Sequence, residues 1–485
     1  MNILVAGASG YIGGQLIPRL EVLGHHVICL VRNPERLIVN RWENVEIRQG
    51  DLLNPDSLVG VMQGVEVAYY LVHSMADGVQ GFIERDYSAS SNFGAAAKAA
   101  GVERIIYLGG LGECGNLISP HLEARQQVGD MLRRSGVPVT EFRAAIIIGS
   151  GSMSFEMIRY LTERLPLLFT PKWIGTLCQP IAIENILEYL TLSLIEPRSV
   201  GTIFEIGGPD VLTYEDIMRG YAAARHLTRR LVNIPFLSMG MLAIGAVVVT
   251  PLPYPYLRIL IEGMKSEVVV RDPSAQEIFS LKLISYADAV RQALERPGLG
   301  EVSSYWRGAK VGLPPGTMHK NIEGMFIEQR RVETTAQPEA VYNTFTGLGG
   351  KDGWYFGDWL WQVRGLLDRL VGGPGMRRGR RSLDKLQPGD VLDGYRVETV
   401  EAGHMLRLRN EMKAPGPGWM QFEALAGADG KTLYIQTAFF EPHGLAGLAY
   451  WYALYPFHQL IFNGLAHAIV KRAEAVNRSE LVDEF

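Results

Sequence analysis

Gly7, Gly10 and Gly13 stand at fixed spacing in Met1-Asn-Ile-Leu-Val-Ala-Gly-Ala-Ser-Gly-Tyr-Ile-Gly13, directly after a short apolar run. In that pattern one glycine lets the chain leave a strand sharply and the next lets backbone approach a pyrophosphate. The third permits a helix to pack closely on the strand. Ser9, Tyr11 and Ile12 complete the turn, and a helix starting near Tyr11 would point its free N–H groups at phosphates, where its dipole favours negative charge. The bland alternative is a glycine-rich turn with no ligand. The order strand, turn, helix argues for the dinucleotide.

Further residues follow the strands that must surround this turn. Val31-Arg32-Asn33-Pro34 comes after the second strand. An acid there would hold the adenosine ribose and favour NAD, whereas Arg32 can pair with a 2′-phosphate. NADP(H) is therefore favoured over NAD(H), with a solvated surface arginine as the alternative. After the third strand, Asp51 can accept from the adenine amino group while Leu52 packs on the ring; Asp51 serves equally as an acid ahead of Asn54-Pro55. Leu71 and His73 end the fourth strand, beside the nicotinamide-side ribose. His73 either meets cofactor or substrate or is a satisfied polar residue at a strand end.

These residues need a parallel sheet with crossover helices to position them. Strands are expected over 2–6, 26–31, 45–49, 67–71, 104–108 and 139–143, with helices over 11–23, 55–62, 80–100 and 120–135. Gly24, Gly101 and Gly136 fall just past helix ends, where a left-handed cap is wanted. The fold class is α/β, a doubly wound Rossmann sheet whose ligands bind outside the C-terminal strand ends. Residues 150–300 read as a small substrate-covering lobe with a strand at 202–206. After a Pro/Gly-containing connector over 307–324 the pattern changes to strands at 325–333, 395–401, 405–412, 419–425 and 432–440. A helix at 338–345 and a long one over 445–476 complete this part, so two domains are expected, 1–310 and 322–485.

Composition narrows the function. With 47% hydrophobic and 20% charged residues, the 485-residue chain is globular in character. A net charge of −4 gives no electrostatic footprint for nucleic acid. The three cysteines, Cys29, Cys114 and Cys178, lack metal or disulfide spacing. Because the N-terminus is already a core strand, no signal peptide is expected and the chain reads as cytoplasmic. Residues 234–255 are nearly uncharged, but their prolines limit a helix to about 15 residues, short of the roughly 20 a span needs. A buried helix, packed on the nucleotide domain or at a subunit interface, is the expectation; membrane contact, if any, would be peripheral. A homo-oligomer is compatible with all of this.

GASGYIG, VRNP, GDL and the later EFRAAIIIG resemble the short-chain dehydrogenase/reductase superfamily, and more narrowly its atypical NmrA-like and complex-I-subunit-like branch. The resemblance covers about the first 300 residues and implies an NAD(P)-dependent oxidoreductase. That family uses a tyrosine four residues before a lysine, the lysine lowering the phenol pKa and holding the ribose. No lysine here has a tyrosine four residues upstream. The matching helix carries His121 and Arg125, four apart and so on one helix face. Histidine exchanges protons near neutrality and arginine supplies fixed charge, so His121 is the candidate proton donor and Arg125 the positioner. The pair serves equally as a helix cap or a cofactor contact. Tyr107 and Tyr87 are weaker donor candidates. The substrate implied is an apolar carbonyl or quinone; the rival is a non-catalytic NADP(H) sensor or scaffold.

From about residue 323 the chain resembles a domain of unknown function often fused to such modules, in GWYFGDWLWQVRGLLDRLVGGPGMRRGRR, LRLRNEMKAPGPGWMQFEAL and AFFEPHGLAGLAYWYALYPFHQLIF. Its outline is similar to the α+β helix-grip fold of START-like and polyketide-cyclase-like domains, which implies a curved antiparallel sheet around a long helix and a cavity for an apolar ligand. Trp354, Trp359, Trp361, Trp419 and Trp451 either line that cavity or fill a solid core. Arg377, Arg378, Arg380 and Arg381 form the densest charge and read as a solvated loop or an anion contact. His443, His458, His467 and Lys471 make no metal constellation, and no metal is expected.

Overall fold

Alternation along the first strand sets the architecture. In β1 (Asn2–Ala6) Ile3 and Val5 enter one core cluster while Leu4 and Ala6 enter another, so both faces of the sheet are covered. The computed structural model describes residues 1–32, 44–73, 82–112, 119–234, 236–250, 252, 254–295, 316–322, 325–350, 353–376, 386–427 and 430–483. The chain forms two units, Met1–Gly312 and Leu313–Phe485.

The first unit is built on a seven-stranded sheet. To β1 are added β2 (His26–Val31), β3 (Val45–Gln49), β4 (Val67–Tyr70), β5 (Arg104–Gly110), β6 (Val139–Ala144) and β7 (Ile203–Ile206). Their order is β7-β6-β5-β4-β1-β2-β3, with every pairing parallel. The direction of winding reverses between β1 and β4, which opens a crevice at their C-terminal ends. Helix α1 (Tyr11–Val22) buries Leu16, Ile17 and Leu20 on one face of the sheet, while α2 (Phe82–Ala99) and α3 (Pro120–Arg134) cover the other through Phe93, Val128 and Leu132. Gly24, Gly101 and Gly136 adopt left-handed φ of 82°, 72° and 84°.

Two sequence expectations need correction. The helix over 55–62 is only a 3₁₀ turn, Pro55–Leu58, because Val59 is extended and Gly60 turns left-handed at φ 74°. Asn54 caps that turn by accepting from the Asp56 N–H. Residues 234–255 hold a helix α4 (Met239–Val249) that is buried along one side only. Its small residues Ala243 and Ala246 face inward, while Met241 and Ile244 are each 61% exposed.

The second unit is antiparallel throughout. Strands β8 (Gly316–Ile322), β9 (Met325–Thr334), β10 (Val391–Leu392), β11 (Tyr395–Glu401), β12 (Met405–Asn410), β13 (Gly418–Ala426) and β14 (Thr432–Phe440) take the order β8-β9-β14-β13-β12-β11-β10. Helices α5 (Pro338–Thr346), α6 (Asp358–Leu370) and α7 (Gly444–Asp483) contribute Phe345, Trp361, Phe462 and Ile469 to one core with Leu406, Leu408, Phe422 and Tyr434 of the sheet. Trp354 and Trp361 stack at 4.6 Å inside that core, and Trp451 stacks on Phe440 at 5.5 Å. Trp359 instead stands 68% exposed. Trp354 and Trp361 are thus core residues, one of the two uses expected of the tryptophans. The arginine run at 377–381 lies outside the described residues.

Candidate functional site

The glycine turn has the shape its spacing requires. Gly7 has φ 90°, and a Cβ there would lie 2.7 Å from the Leu71 carbonyl oxygen of β4's exit. A Cβ at Gly13 would overlap the Gly7 carbonyl, which is how α1 comes so close to β1. The Gly10 N–H closes the turn on Gly7 O at 2.9 Å. Gly10 is the N-cap of α1 and offers no side-chain cap, and no acid occupies the first turn, so no side-chain carboxylate competes with an anion there.

Around this cradle the other candidates divide. Arg32 is exposed at the exit of β2, where its carbonyl accepts from Gln49 Nε2 at 3.2 Å; Asn33 and Pro34 lie outside the described residues. Asp51 Oδ1 accepts from the Leu53 N–H at 3.0 Å, and the Asp51 backbone is fastened to Ser57 Oγ. Leu52 is packed into the core with Leu58 and Val61. This part of the turn is thus engaged in holding itself. Leu71 donates its N–H to Ala6 O at 2.9 Å, tying the exits of β1 and β4 together.

Two residues beyond Leu71, His73 meets His121 of α3, their rings 4.9 Å apart and tilted by 35°. His73 Nδ1 lies 3.3 Å from Oδ2 of Asp86, a buried carboxylate on α2. A carboxylate only accepts, so this contact places the proton on Nδ1 and leaves Nε2 as the acceptor. That Nε2 is buried with no hydrogen-bond partner among the described residues. Burial is the largest cause that lowers the His73 pKa, and Arg125 adds to it while Asp86 opposes. Burial likewise pushes His121 down to about 3, with His73 and Arg125 adding repulsion. Both imidazoles are neutral near pH 7.

Arg125 is placed otherwise than a ribose-holding residue would be. Its guanidinium donates to Leu108 O of β5 and, at 3.2 Å, to Val72 O beyond β4, and it lies 5.1 Å over the Tyr107 ring. Arg125 thereby ties two adjacent strand exits to α3. Tyr107 is fully buried and donates its hydroxyl to Arg125 O at 2.7 Å, its pKa raised by burial, so it is withdrawn from proton exchange. Tyr87 is 46% exposed on α2. At the β5 exit a Cβ on Gly110 would come 2.9 Å from Leu122 Cδ2, so the glycine lets that leucine of α3 pack against the strand.

Asp86 is the residue that sequence reasoning missed. Its signal was present in spacing, because 86, 89, 90, 93 and 97 form one helical stripe whose members Asp86, Ala89, Ser90, Phe93 and Ala97 are all buried. An acid on a buried stripe demands a partner, and His73 is it.

Residues 7–151 match a family model described as NAD(P)H-binding. The first unit carries an NAD(P)H-binding domain. Residues 324–465 match the model of a protein family of unknown function. Among curated relatives, the photosystem II assembly factor Ycf39 of Trieres chinensis is 26% identical over 208 residues, 43% of this chain and 64% of that protein. The chain thus spans less than two thirds of that relative's length. A ceramide reductase of Caulobacter vibrioides is 25% identical over 253 residues, 51% of this chain and 77% of that protein. Two solved structures share the fold at TM-score 0.50: a nucleoside-diphosphate-sugar epimerase of Staphylococcus aureus and a triphenylmethane reductase of Citrobacter sp.. They are 16% and 21% identical, and the alignments cover 60% and 61% of this chain and all of each structure.

Proposed function

We propose that the protein is an NADP(H)-dependent reductase of the atypical short-chain type, acting on an apolar carbonyl or quinone. The observation that carries this reading is the juxtaposition of a cofactor cradle with a buried histidine pair: the Leu71 carbonyl that abuts Gly7 is two residues from His73, which faces His121. Gly7, Gly10 and Gly13 would admit the pyrophosphate, with Ser9, Tyr11 and Ile12 around it and Arg32 answering a 2′-phosphate. The bound nicotinamide supplies or accepts hydride.

The proton side belongs to this chain's own residues. Neutral His121 hydrogen-bonds the substrate oxygen through its ring N–H and passes that proton to it, water then returning one to His121; Asp86 keeps the His73 proton on Nδ1 and so fixes His73 beside it as an acceptor. A neutral imidazole can polarise a carbonyl without carrying full charge, which suits a site whose burial and arginine both oppose imidazolium. Arg125 acts as a positioning residue by holding the β4 and β5 exits against α3. For the second unit, the antiparallel sheet with α7 on one face supports a helix-grip reading, with an apolar ligand as its expected guest.

Calorimetry with NADPH and NADH, followed by NADPH absorbance across quinones and aldehydes, tests the proposal. Tight NADPH binding with turnover that disappears in His121→Ala and His73→Ala supports it. Tight binding with no turnover on any substrate leaves the sensor reading in its place, and no binding to either nucleotide sinks both.

A further inference from the structure

The second unit turns apolar side chains outward on two helices. On α6, Trp359, Val363, Leu366, Leu367, Leu370 and the capping Val371 recur at helical spacing and are 45–76% exposed. The opposite side of α6 is already engaged, with Trp361, Gly365 and Asp368 buried. On α7, Leu445, Tyr452, Phe457 and Leu460 are also exposed. No Asp, Glu, Lys or Arg occurs between residues 444 and 470. The two helices adjoin: Trp361 stacks on Phe462 at 6.3 Å, and Arg364 lies 5.6 Å over the Tyr450 ring. An exposed apolar surface of this extent is unusual in a monomer and marks a contact.

Cations gather where the C-terminal end of α6 meets the start of α7. Lys413 donates Nζ to Val371 O at 2.9 Å and its backbone N–H to buried Asp368. His443 donates its N–H to Pro415 O immediately before α7. Between them lies an open pocket of about 670 Å³ lined by Pro374, Arg396, Arg409, Glu411, Lys413 and His443 among others. Arg396 and Arg409 stand directly opposite each other across β11 and β12, a like-charge pair that weakens the sheet unless answered. Glu411 answers Arg396 at 2.6 Å. Among the described residues no carboxylate pairs with Arg409. Asp358, the exposed acid of α6, sits in its first turn, at the other end of the helix.

We propose that this surface docks on an anionic lipid bilayer. The exposed side chains of α6 and α7 enter the acyl boundary, and Arg396, Arg409 and Lys413 take lipid phosphates. An aromatic and leucine-rich face bordered by cations is the pattern of an interfacial element. Among the described residues no helix is long and apolar enough to cross a membrane, so the contact is one of lying on the surface. A second copy of the chain brings the same cations to the contact, whereas an anionic bilayer answers all of them with phosphate. This inference is independent of the reductase reading.

Flotation of the full chain with vesicles of phosphatidylcholine, with and without phosphatidylglycerol, tests it. The chain should float with the phosphatidylglycerol vesicles, about tenfold more weakly in the double variant Leu367→Glu/Leu370→Glu. Arg409→Glu and raised salt should also weaken it. These side chains are exposed, and unchanged circular dichroism and NADPH affinity would show that the variants fold. The proposal is overturned if the native chain stays at the bottom of the gradient, or if the variants float as well as it does. A dimer that the double variant dissolves, with no vesicle binding, overturns it too.

Discussion

His121 in the first unit and His458 in the second are held at low pKa by the same forces. His121 is pushed down to about 3 and His458 to about 4, burial being the largest cause in each, with Arg125 repelling one and Arg364 and Arg330 the other. Their surroundings differ. His458 is sandwiched between Trp451 at 5.1 Å and Phe462 at 5.0 Å, beside a buried ion pair of Glu328 and Arg330 at 2.5 Å that Gln459 also contacts. His121 faces a second histidine, next to backbone that touches the glycine cradle. A depressed pKa therefore reports burial, and it becomes an argument for chemistry only where a reactant has a place to lie.

The contrast can be broken most sharply by mutating both histidines. His121→Ala should lower turnover by roughly 10²–10⁴-fold with little change in NADPH affinity, while His458→Phe should leave turnover alone. Equal losses in steady-state assays would erase the distinction. Next in size is the ion pair. Arg330→Met strands the Glu328 carboxylate in the core and should destabilise the second unit by about 3–5 kcal/mol, seen as a lower denaturation midpoint with calorimetric NADPH binding preserved.

Acid sharpens the comparison further. An unfolded histidine titrates near 6.5, so for His458, at about 4 when folded, the unfolded chain binds the extra proton between those values. Its stabilising contribution is complete above pH 6.5 and is lost as pH falls toward 4. His458→Phe keeps the aromatic stack and removes the titration, so urea midpoints of the second unit should fall less over that range than in the native chain. His73 and His121 should give the first unit a similar acid sensitivity that this substitution does not touch. The smallest effect expected is at Arg32, where Arg32→Ala should narrow the preference for NADPH over NADH by about tenfold, near 1.4 kcal/mol, by titration of both nucleotides. An unchanged ratio would return Arg32 to the solvent.

Local pattern carried the parallel sheet and the cradle, because β1 alternates between two faces and the glycine spacing depends only on neighbours in sequence. The short turn at Pro55–Leu58 was hidden because the apolar residues from Leu58 onward have helical spacing, while extended Val59 and left-handed Gly60 stop the helix. Helix α4 misled for a related reason: a helix apolar on both its buried and its exposed side has no amphipathic signature to orient it. The bonds of Arg125 to Leu108 O and Val72 O depend on β4 and β5 lying side by side, which no spacing along one helix can express.

The bare strand exit at Gly110 also bears on how this protein can change. A serine there would bring its Cβ to 2.9 Å from Leu122 Cδ2, the free tip of a side chain, so it fits only once that leucine turns aside. Arg125, whose Cβ and Cγ would lie 3.5 and 3.6 Å away, keeps its grip on the two carbonyls. A hydroxyl could thus be set at the mouth of β5 by turning one leucine, with the arginine that ties the strand exits left in place.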